Sequence, residues 1–255
     1  MSREQVERWA PLILLVLSVA LWQVVCMVFS IPEFIFPSPL EIARALGEFT
    51  GPIALATWQT FWVTMVGFGL SIVVGVLLGF LVGSTRLAYA ALFPLLVAFN
   101  AVPKAAVVPI LVVWFGIGLG PGIVTAFLIS FFPIMVNMAT GLATLEPELE
   151  DVLRVLGAKR RDVLMKVGLP RSLPYFFASL KVSITLAFVG TVLAEMTAGD
   201  SGIGYLMQSA GSQQRMSLAF AGLVVIGAMA MAMYELFSYV EKNTTGWAHR
   251  GSQNT

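Results

Sequence analysis

Residues 146–170 read EPELEDVLRVLGAKRRDVLMKVGLP, and this charged stretch interrupts a chain that is otherwise strongly apolar. Pro147 and the acidic residues around it favour the first turn of a helix, where the helix dipole stabilises negative charge. Gly157 then predicts a sharp change of direction, because glycine adopts positive φ without a steric penalty. The helix before Gly157 carries an apolar stripe at helical spacing, formed by Leu149, Val152, Leu153 and Leu156.

A second short helix is expected after Gly157 and should end before Leu169 and Pro170. A helix–glycine–helix hairpin with an apolar face and charged flanks suits the groove of a partner protein. The same pattern is equally typical of a hairpin that packs on its own helical bundle, so the residues alone leave both interpretations open. The apolar positions of the second helix are Val163, Leu164 and Val167.

The chain around this hairpin is too apolar for a water-soluble fold. Of its 255 residues, 58% are hydrophobic and 11% are charged, whereas soluble domains carry roughly 25% charged residues. Even large soluble domains bury only about three quarters of their unfolded surface, so lipid must cover the rest. The single cysteine, Cys26, and the single histidine, His249, exclude an internal disulfide and a Cys/His zinc site. We predict no catalytic residue and no metal site, and the net charge of +1 does not indicate a nucleic-acid partner.

Six apolar stretches are long enough to cross a bilayer, which takes ~20 helical residues. Residues 105–145 contain no charge and would form a helix of ~60 Å, so the chain must turn at the glycine-rich run 116–122. A kinked or broken span is expected where prolines interrupt an apolar run. The predicted spans are 9–29, 61–82, 87–117 (the broken one), 123–144, 175–194 and 217–239, with a short connector helix over 40–49.

Charge placement predicts the orientation of this all-α polytopic membrane protein. Eleven basic residues fall on one side of the bilayer, and only Arg44 and Arg215 fall on the other. The hairpin and both termini are therefore expected in the cytoplasm, and Lys181 is expected to snorkel to that side. The eleven residues are Arg3, Arg8, Arg86, Arg154, Lys159, Arg160, Arg161, Lys166, Arg171, Lys242 and Arg250.

Small residues recur every four positions along the second predicted span, at Ser71, Gly75, Gly79 and Gly83. This spacing places them on one helix face and lets a neighbouring backbone approach closely. We favour helix packing over a substrate groove as the purpose of this face.

Polar groups inside apolar spans are candidates for a solute path, because they normally face the protein interior. Lys104 is either a cation that lines the path or a lysine near the inner surface. Glu195 is either a gate or an interfacial carboxylate. The candidates are Asn100, Lys104, Asn137, Thr191 and Glu195.

The 146–170 stretch resembles the EAA signature of permease subunits of bacterial ATP-binding-cassette (ABC) importers. That signature has an acid and two small residues, three residues, Gly, nine residues, an aliphatic residue, any residue, and Leu-Pro. Val152 and Leu153 stand where the signature has two alanines. The residues that match the spacing are Asp151, Gly157, Val167, Leu169 and Pro170.

Other strings, from about residue 57 onward, resemble the nitrate/sulfonate/taurine/bicarbonate branch of this family, which includes permeases for pyrimidine precursors, riboflavin and aromatic acids. They are VPK at 102–104, VWFGIG at 113–118, FPIMVN at 132–137 and SGIGYL at 201–206.

The resemblance implies the type I ABC importer permease fold, with six transmembrane helices and a cytoplasmic helical coupling hairpin, in a bacterial inner membrane. It implies three kinds of partner: a second permease copy, two ABC ATPase subunits and an extracytoplasmic solute-binding protein. The permease would translocate a small anion or organic solute by alternating access. The sequence has no Gly-x-x-x-x-Gly-Lys-Ser/Thr phosphate loop, so we expect the partner subunit, and not this chain, to bind and hydrolyse ATP with Mg²⁺.

Three segments are expected: residues 1–56 as a transmembrane helix with an amphipathic connector, 57–243 as the core permease domain, and 244–255 as a polar cytoplasmic tail. A secondary transporter without an ATPase is the alternative, but it would need ion-binding carboxylates in the membrane and usually paired repeats. The expected ATPase-coupling residues are Glu148, Asp151, Val152, Leu153, Arg154, Gly157, Ala158, Leu169 and Pro170.

Overall fold

The computed structural model describes residues 3–143, 152–153 and 155–245, and within these ranges the chain is helical and contains no strand. A π-helical turn, Leu164–Gly168, joins the helix Arg160–Val163 to the helix Leu169–Ala198 without a break. The helices are α1 (Arg3–Val28), α2 (Pro39–Glu48), α3 (Thr50–Gly83), α4 (Arg86–Ala101), α5 (Lys104–Phe115), α6 (Leu119–Ala143), α7 (Arg160–Val163), α8 (Leu169–Ala198), α9 (Gly202–Ser212) and α10 (Met216–Thr245).

The described helices account for the six predicted spans when α4 and α5 are taken as one broken crossing. By length and hydropathy, five spans are provided by α1, α3, α6, α8 with its π-helical turn, and α10. The axes of α4 and α5 differ by 83°. Pro103 at their junction has no N–H to donate and restricts the preceding residue to extended backbone, so one straight helix cannot continue through it.

Close packing of α3 against α6 forms the centre of the molecule. A Cβ on Gly75 would lie 2.9 Å from Ile134 Cβ, and one on Gly79 would lie 2.6 Å from Met138 Cβ. Ser71 adds a hydrogen bond of 2.6 Å between its hydroxyl and that of Ser130. The predicted small-residue face is thus confirmed as a helix-packing face, because α6 fills the space that a substrate groove would need.

A separate apolar cluster joins α2, the first turns of α3, α9 and the start of α10. Helix α9 was not predicted, since its four-residue opening Gly-Ile-Gly-Tyr has weak helix propensity and tertiary contacts must stabilise it. The fully or largely buried members of this cluster include Ile42, Ile53, Ile203, Ala210 and Leu218.

The prediction that the second hairpin helix ends before Leu169 and Pro170 is wrong. Helix α7 continues through the π-helical turn into α8, and the N–H of Leu169 donates to the carbonyl of Leu164, five residues earlier. The ring of a helical proline meets the carbonyl of the residue four positions earlier, which for Pro170 is Lys166 inside the π-helical turn. The wide turn therefore accommodates the proline without ending the helix.

Two predicted boundaries also shift. Helix α3 begins at Thr50 and not near residue 61, so its 34 residues extend ~50 Å and reach beyond the hydrocarbon core. The glycine-rich turn is confined to Gly116–Gly118, where both glycines have positive φ. Pro121 lies in the first turn of α6, a position that suits proline, and therefore does not extend the turn.

Candidate functional site

The described part of the coupling segment is a helix end that turns at Gly157. Gly157 has φ +85°, and the N–H of Ala158 donates to the carbonyl of Leu153 at 3.0 Å. This bond spans five residues across a left-handed residue, which is the pattern of a Schellman helix end. The predicted turn at Gly157 is therefore present, and it needs a residue that tolerates positive φ.

Apolar side chains lie exposed just before this turn. Val152, Val155 and Leu156 are 57%, 88% and 77% exposed. After the turn, the N–H of Lys159 donates to the carboxylate of Asp162 and caps the start of α7. The segment thus presents a short apolar surface next to a rigid change of direction.

The predicted coupling residues lie partly outside the described residues: nothing is described for Glu148, Asp151 and Arg154. Leu169 and Pro170 belong to the first turn of α8, directly after the π-helical turn. Their proposed contacts with an ATPase stay predictions.

A buried carboxylate, that of Glu195, joins three helices near the end of α8. The side chain is 7% exposed. It accepts a hydrogen bond from the Thr60 hydroxyl of α3, 2.9 Å to either carboxylate oxygen, and one from the N–H of Gly204 in α9, also at 2.9 Å. The Thr60 hydroxyl itself accepts from the N–H of Ile203 at 2.8 Å.

These bonds satisfy the start of α9, whose first N–H groups have no partner within the helix. Gly202 completes the set, because its N–H donates to the side-chain oxygen of Gln59 at 3.1 Å. The Glu195 carboxyl group also lies at the positive end of the α9 dipole, where carboxyl oxygens are favourable acceptors. Glu195 is therefore an anchor for α9, a role that sequence analysis did not identify.

Two glycines of the 201–206 string make room for this anchor. A Cβ on Gly202, whose φ is +92°, would lie 2.3 Å from the Glu195 carboxylate. A Cβ on Gly204 would lie 2.6 Å from the carbonyl oxygen of Val192 and 2.7 Å from Glu195 Cβ. The two glycines of SGIGYL are thus needed because α9 packs directly against Glu195 and the backbone of α8.

Thr191 lies one turn before Glu195 and belongs to the same buried region. It is fully buried, and its hydroxyl accepts a hydrogen bond of 2.8 Å from Thr64 of α3. The polar pair Thr60 and Thr64 was missed by sequence analysis, although their spacing of four residues in an apolar span was an available signal.

Asn100 and Lys104 meet at the bend between α4 and α5. The Lys104 ammonium donates to the backbone carbonyl of Asn100 and, at 2.7 Å, to the Asn100 side-chain oxygen. Asn137 lies apart in α6, and its amide donates to the carbonyl of Pro133 at 2.9 Å. The five predicted path residues therefore fall into three places, and whether they line a path stays a prediction.

An ion pair between two largely buried side chains links α8 to α10. Lys181 Nζ and Glu241 Oε2 are 2.6 Å apart, and their side chains are only 19% and 12% exposed. The ammonium also lies 5.9 Å from the centre of the Tyr234 ring. Lys181 is thus paired with a carboxylate near the end of α10, and the expectation that it snorkels to the cytoplasmic side stays a prediction. In the described ranges, no group of three or more His, Cys, Asp or Glu residues could hold a metal ion.

Comparison with known protein families identifies the family to which this chain belongs. The family model for the binding-protein-dependent transport system inner membrane component matches residues 71–244. The chain belongs to this family. It is a multi-pass permease of bacterial ABC transporters, and the recognition made from the 146–170 spacing is confirmed.

Curated relatives match this permease over most of its length. A probable ABC transporter permease protein of Haemophilus influenzae is 34% identical, covering 88% of this chain and 91% of the relative. The putative aliphatic sulfonates transport permease protein SsuC of Bacillus subtilis is 27% identical, covering 90% and 84%. The formylaminopyrimidine transport permease protein ThiX of Halalkalibacterium halodurans is 26% identical, covering 93% and 95%.

A solved structure confirms the type I importer fold of the permease. One chain of the inward-facing MetNI methionine ABC transporter superposes with a TM-score of 0.65 at 20% identity, covering 74% of this chain and 94% of that one. At this identity the likeness shows the fold and not the solute.

Proposed function

We propose that this ABC importer permease forms the membrane pathway for a small organic anion or heterocycle and works by alternating access. The solute class is supported by two relatives, which are named for aliphatic sulfonates and for formylaminopyrimidine. In this proposal a binding protein delivers the solute on the outer side, and ATP with Mg²⁺ is used by the ATPase subunits. A secondary transporter that works without an ATPase is not favoured.

The observation that carries the coupling role is the exposed apolar helix end at Gly157. Apolar side chains are rarely left this exposed on a charged, water-facing segment unless a partner covers them. Val152, Val155 and Leu156 would enter a groove of the ATPase, and the Gly157 turn would fix the angle at which they enter. Closure of the ATPase pair would then move α7 and α8 as one body.

The proposed assembly contains two copies of this permease and two ATPase subunits. Both termini and the hairpin lie in the cytoplasm, as the basic residues favour. Residues 57–243 form the core permease domain of this proposal, preceded by the 1–56 segment and followed by the 244–255 tail.

The coupling role is tested by substituting Gly157 and isolating the ATPase subunit together with a tagged permease. Gly157→Pro cannot adopt φ +85°, since proline is fixed near −65°, so the hairpin would lose its direction. We expect the ATPase to be lost from the purified complex and uptake to be abolished, while the permease still inserts in the membrane.

Gly157→Asn is the matched control, because asparagine is the residue after glycine that best tolerates positive φ. It should retain most of the ATPase association. Normal uptake by Gly157→Pro would refute the coupling role.

A further inference from the structure

An apolar pocket lies beside the bend between α4 and α5 and is bounded on its other side by α6. Its volume is about 370 Å³, within the range of small-molecule sites. A dry cavity of about 150 Å³ can hold one benzene ring, so this pocket has room for a body of one or two rings. It is lined by Phe99, Val102, Lys104, Val107, Leu111, Trp114, Phe115, Val124 and Leu128.

Aromatic rings form much of the wall and keep large exposed faces, although the Phe99 ring also lies 6.1 Å from the ring of Phe131. Phe99, Trp114 and Phe115 are 50%, 71% and 56% exposed. Exposed aromatic faces of this kind offer stacking and edge contacts to a planar ligand. The wall therefore favours a ligand with an apolar ring over one that is polar throughout.

Lys104 is the single charged residue in the lining. Its ammonium donates to the two oxygens of Asn100, and these bonds fix its position at the bend. Both oxygens belong to neutral groups, so the positive charge of Lys104 is not balanced by a negative charge. Among the described residues, no carboxylate lies within ion-pair distance of Lys104. Lys181, which lies in the predicted fifth span, has the Glu241 carboxylate at 2.6 Å.

This difference matters because an ammonium without an opposite charge is costly in apolar surroundings, and such groups are normally paired or face a cavity. The carbonyl end of α4 supplies a partial negative charge next to Lys104, and one bound anion would balance the remaining positive charge. Irregular backbone at membrane depth is tolerated where it lines a cavity, as the α4–α5 junction does.

We propose that this pocket is a solute-binding station of the permease and that it takes a singly charged organic anion with an apolar ring. The anionic group pairs with the Lys104 ammonium, and the ring lies among Phe99, Trp114 and Phe115. Asn100 is the positioning residue that holds the ammonium at the bend. This inference rests on the proposed function and narrows its solute class.

The test is probe binding to the full chain in lipid nanodiscs, measured by ligand-observed NMR with empty nanodiscs subtracted. Benzenesulfonate is the anionic probe, benzyl alcohol the neutral one and benzylammonium the cationic one. We expect benzenesulfonate to bind best and benzylammonium not to bind above the background.

Lys104→Met keeps an apolar side chain of similar length and removes the charge. It should weaken benzenesulfonate binding about tenfold or more, as expected for the loss of a charge-assisted hydrogen bond, and leave benzyl alcohol nearly unchanged. Lys104→Arg should retain most of the affinity. Lys242→Met removes a lysine that lines no part of the pocket and should change nothing.

Val124→Trp fills the pocket without touching the charge and should remove binding of both benzenesulfonate and benzyl alcohol. Equal binding of the charged and neutral probes, with no effect of Lys104→Met, would show an apolar groove suited to a lipid chain and would overturn the proposal. Absence of benzenesulfonate binding to the unsubstituted chain would overturn it as well.

Failure of this inference is distinguishable from failure of the proposed function, because ATPase co-purification does not depend on the probe. A permease that retains its ATPase but binds no benzenesulfonate refutes the pocket alone. A permease that binds the probe but never associates with an ATPase refutes the coupling proposal.

Discussion

Single glycines decide how closely the helices of this permease approach each other. Gly204 lies where α9 meets α8, 2.6 Å from the Val192 carbonyl if a Cβ is added. Gly211 lies in the same helix, and an added Cβ would meet nothing within 4 Å. The same chemical change therefore has opposite consequences seven residues apart.

We expect Gly204→Ala to destabilise the permease by about 1–3 kcal/mol, because an extra methyl group in a filled site forces the backbones apart. Gly211→Ala should be neutral or stabilising by up to about 1 kcal/mol, since alanine is the better helix former. Thermal unfolding of the purified variants in detergent measures both. Equal melting temperatures would contradict the close contact between α9 and α8.

The ion pair between Lys181 and Glu241 gives a second expectation at the scale of the residue. Lys181→Met leaves a carboxylate buried without its partner, which costs roughly 3–5 kcal/mol. The double variant Lys181→Met with Glu241→Met removes both charges and should recover most of that loss. Unfolding measurements on the two single variants and the double variant form a cycle, and simple additivity of the losses would show that the pair does not interact.

At the scale of the element, the α3–α6 contact is a close interface between two long helices. An added Cβ on Gly79 would lie 2.6 Å from Met138 Cβ and 2.7 Å from the Met135 carbonyl oxygen. Gly69 of the same helix faces open space.

Gly79→Ala should therefore lower the melting temperature and the yield of monodisperse permease, whereas Gly69→Ala should leave both unchanged or higher. The matched positions share one helix, so a difference between them reports the interface and not helix propensity. A harmless Gly79→Ala would mean that α3 and α6 separate more easily than their packing indicates.

Elements with a strong local signal were predictable, and elements that depend on distant partners were not. The apolar spans, the broken α4–α5 crossing and the Gly157 turn follow from length, proline and glycine. Helix α9 does not, because its first N–H groups are satisfied by side chains from elsewhere in the fold.

The same limit applies to the candidate site. Thr60 and Glu195 are 135 positions apart in the sequence, and no local pattern pairs them. The carboxylate was recognisable as unusual in a span, but its partners only emerge when α3, α8 and α9 come together. The prediction that the second hairpin helix ends before Leu169 and Pro170 is wrong because the π-helical turn has no recognisable local signal. Such a turn can accommodate a proline that a regular α-helix would not.

At the scale of the whole molecule, α1 lies at the periphery of the bundle. Of its side chains that the structure describes, those of residues 9–28, only Cys26 is buried. Helix α1 is attached by an aromatic trio with ring centres 5.2–6.4 Å apart, Trp22, Phe36 and Phe220. Most of the surface of α1 is left for lipid or for a neighbouring subunit. The core around α3, α6 and α8 does not depend on it.

The orientation of the whole molecule can be tested by labelling, because the single cysteine is 6% exposed. In a Cys26→Ser background, Gln213→Cys should react with a membrane-impermeant maleimide on intact cells. Lys159→Cys should react only after the cells are permeabilised. The unsubstituted chain should remain unlabelled, and the reverse pattern would place the hairpin outside the cell.

The π-helical turn at Leu164–Gly168 places one residue more than an α-helical turn would between the hairpin and the membrane bundle of this permease. If that turn tightened to α-helical geometry, everything before it would rotate by about 100° and shift by about 1.5 Å along the helix axis. The helix would remain unbroken throughout. Such a change would turn the Val155 side of the hairpin relative to α8, so movement of α7 and α8 as one body requires the π-helical turn to keep its geometry.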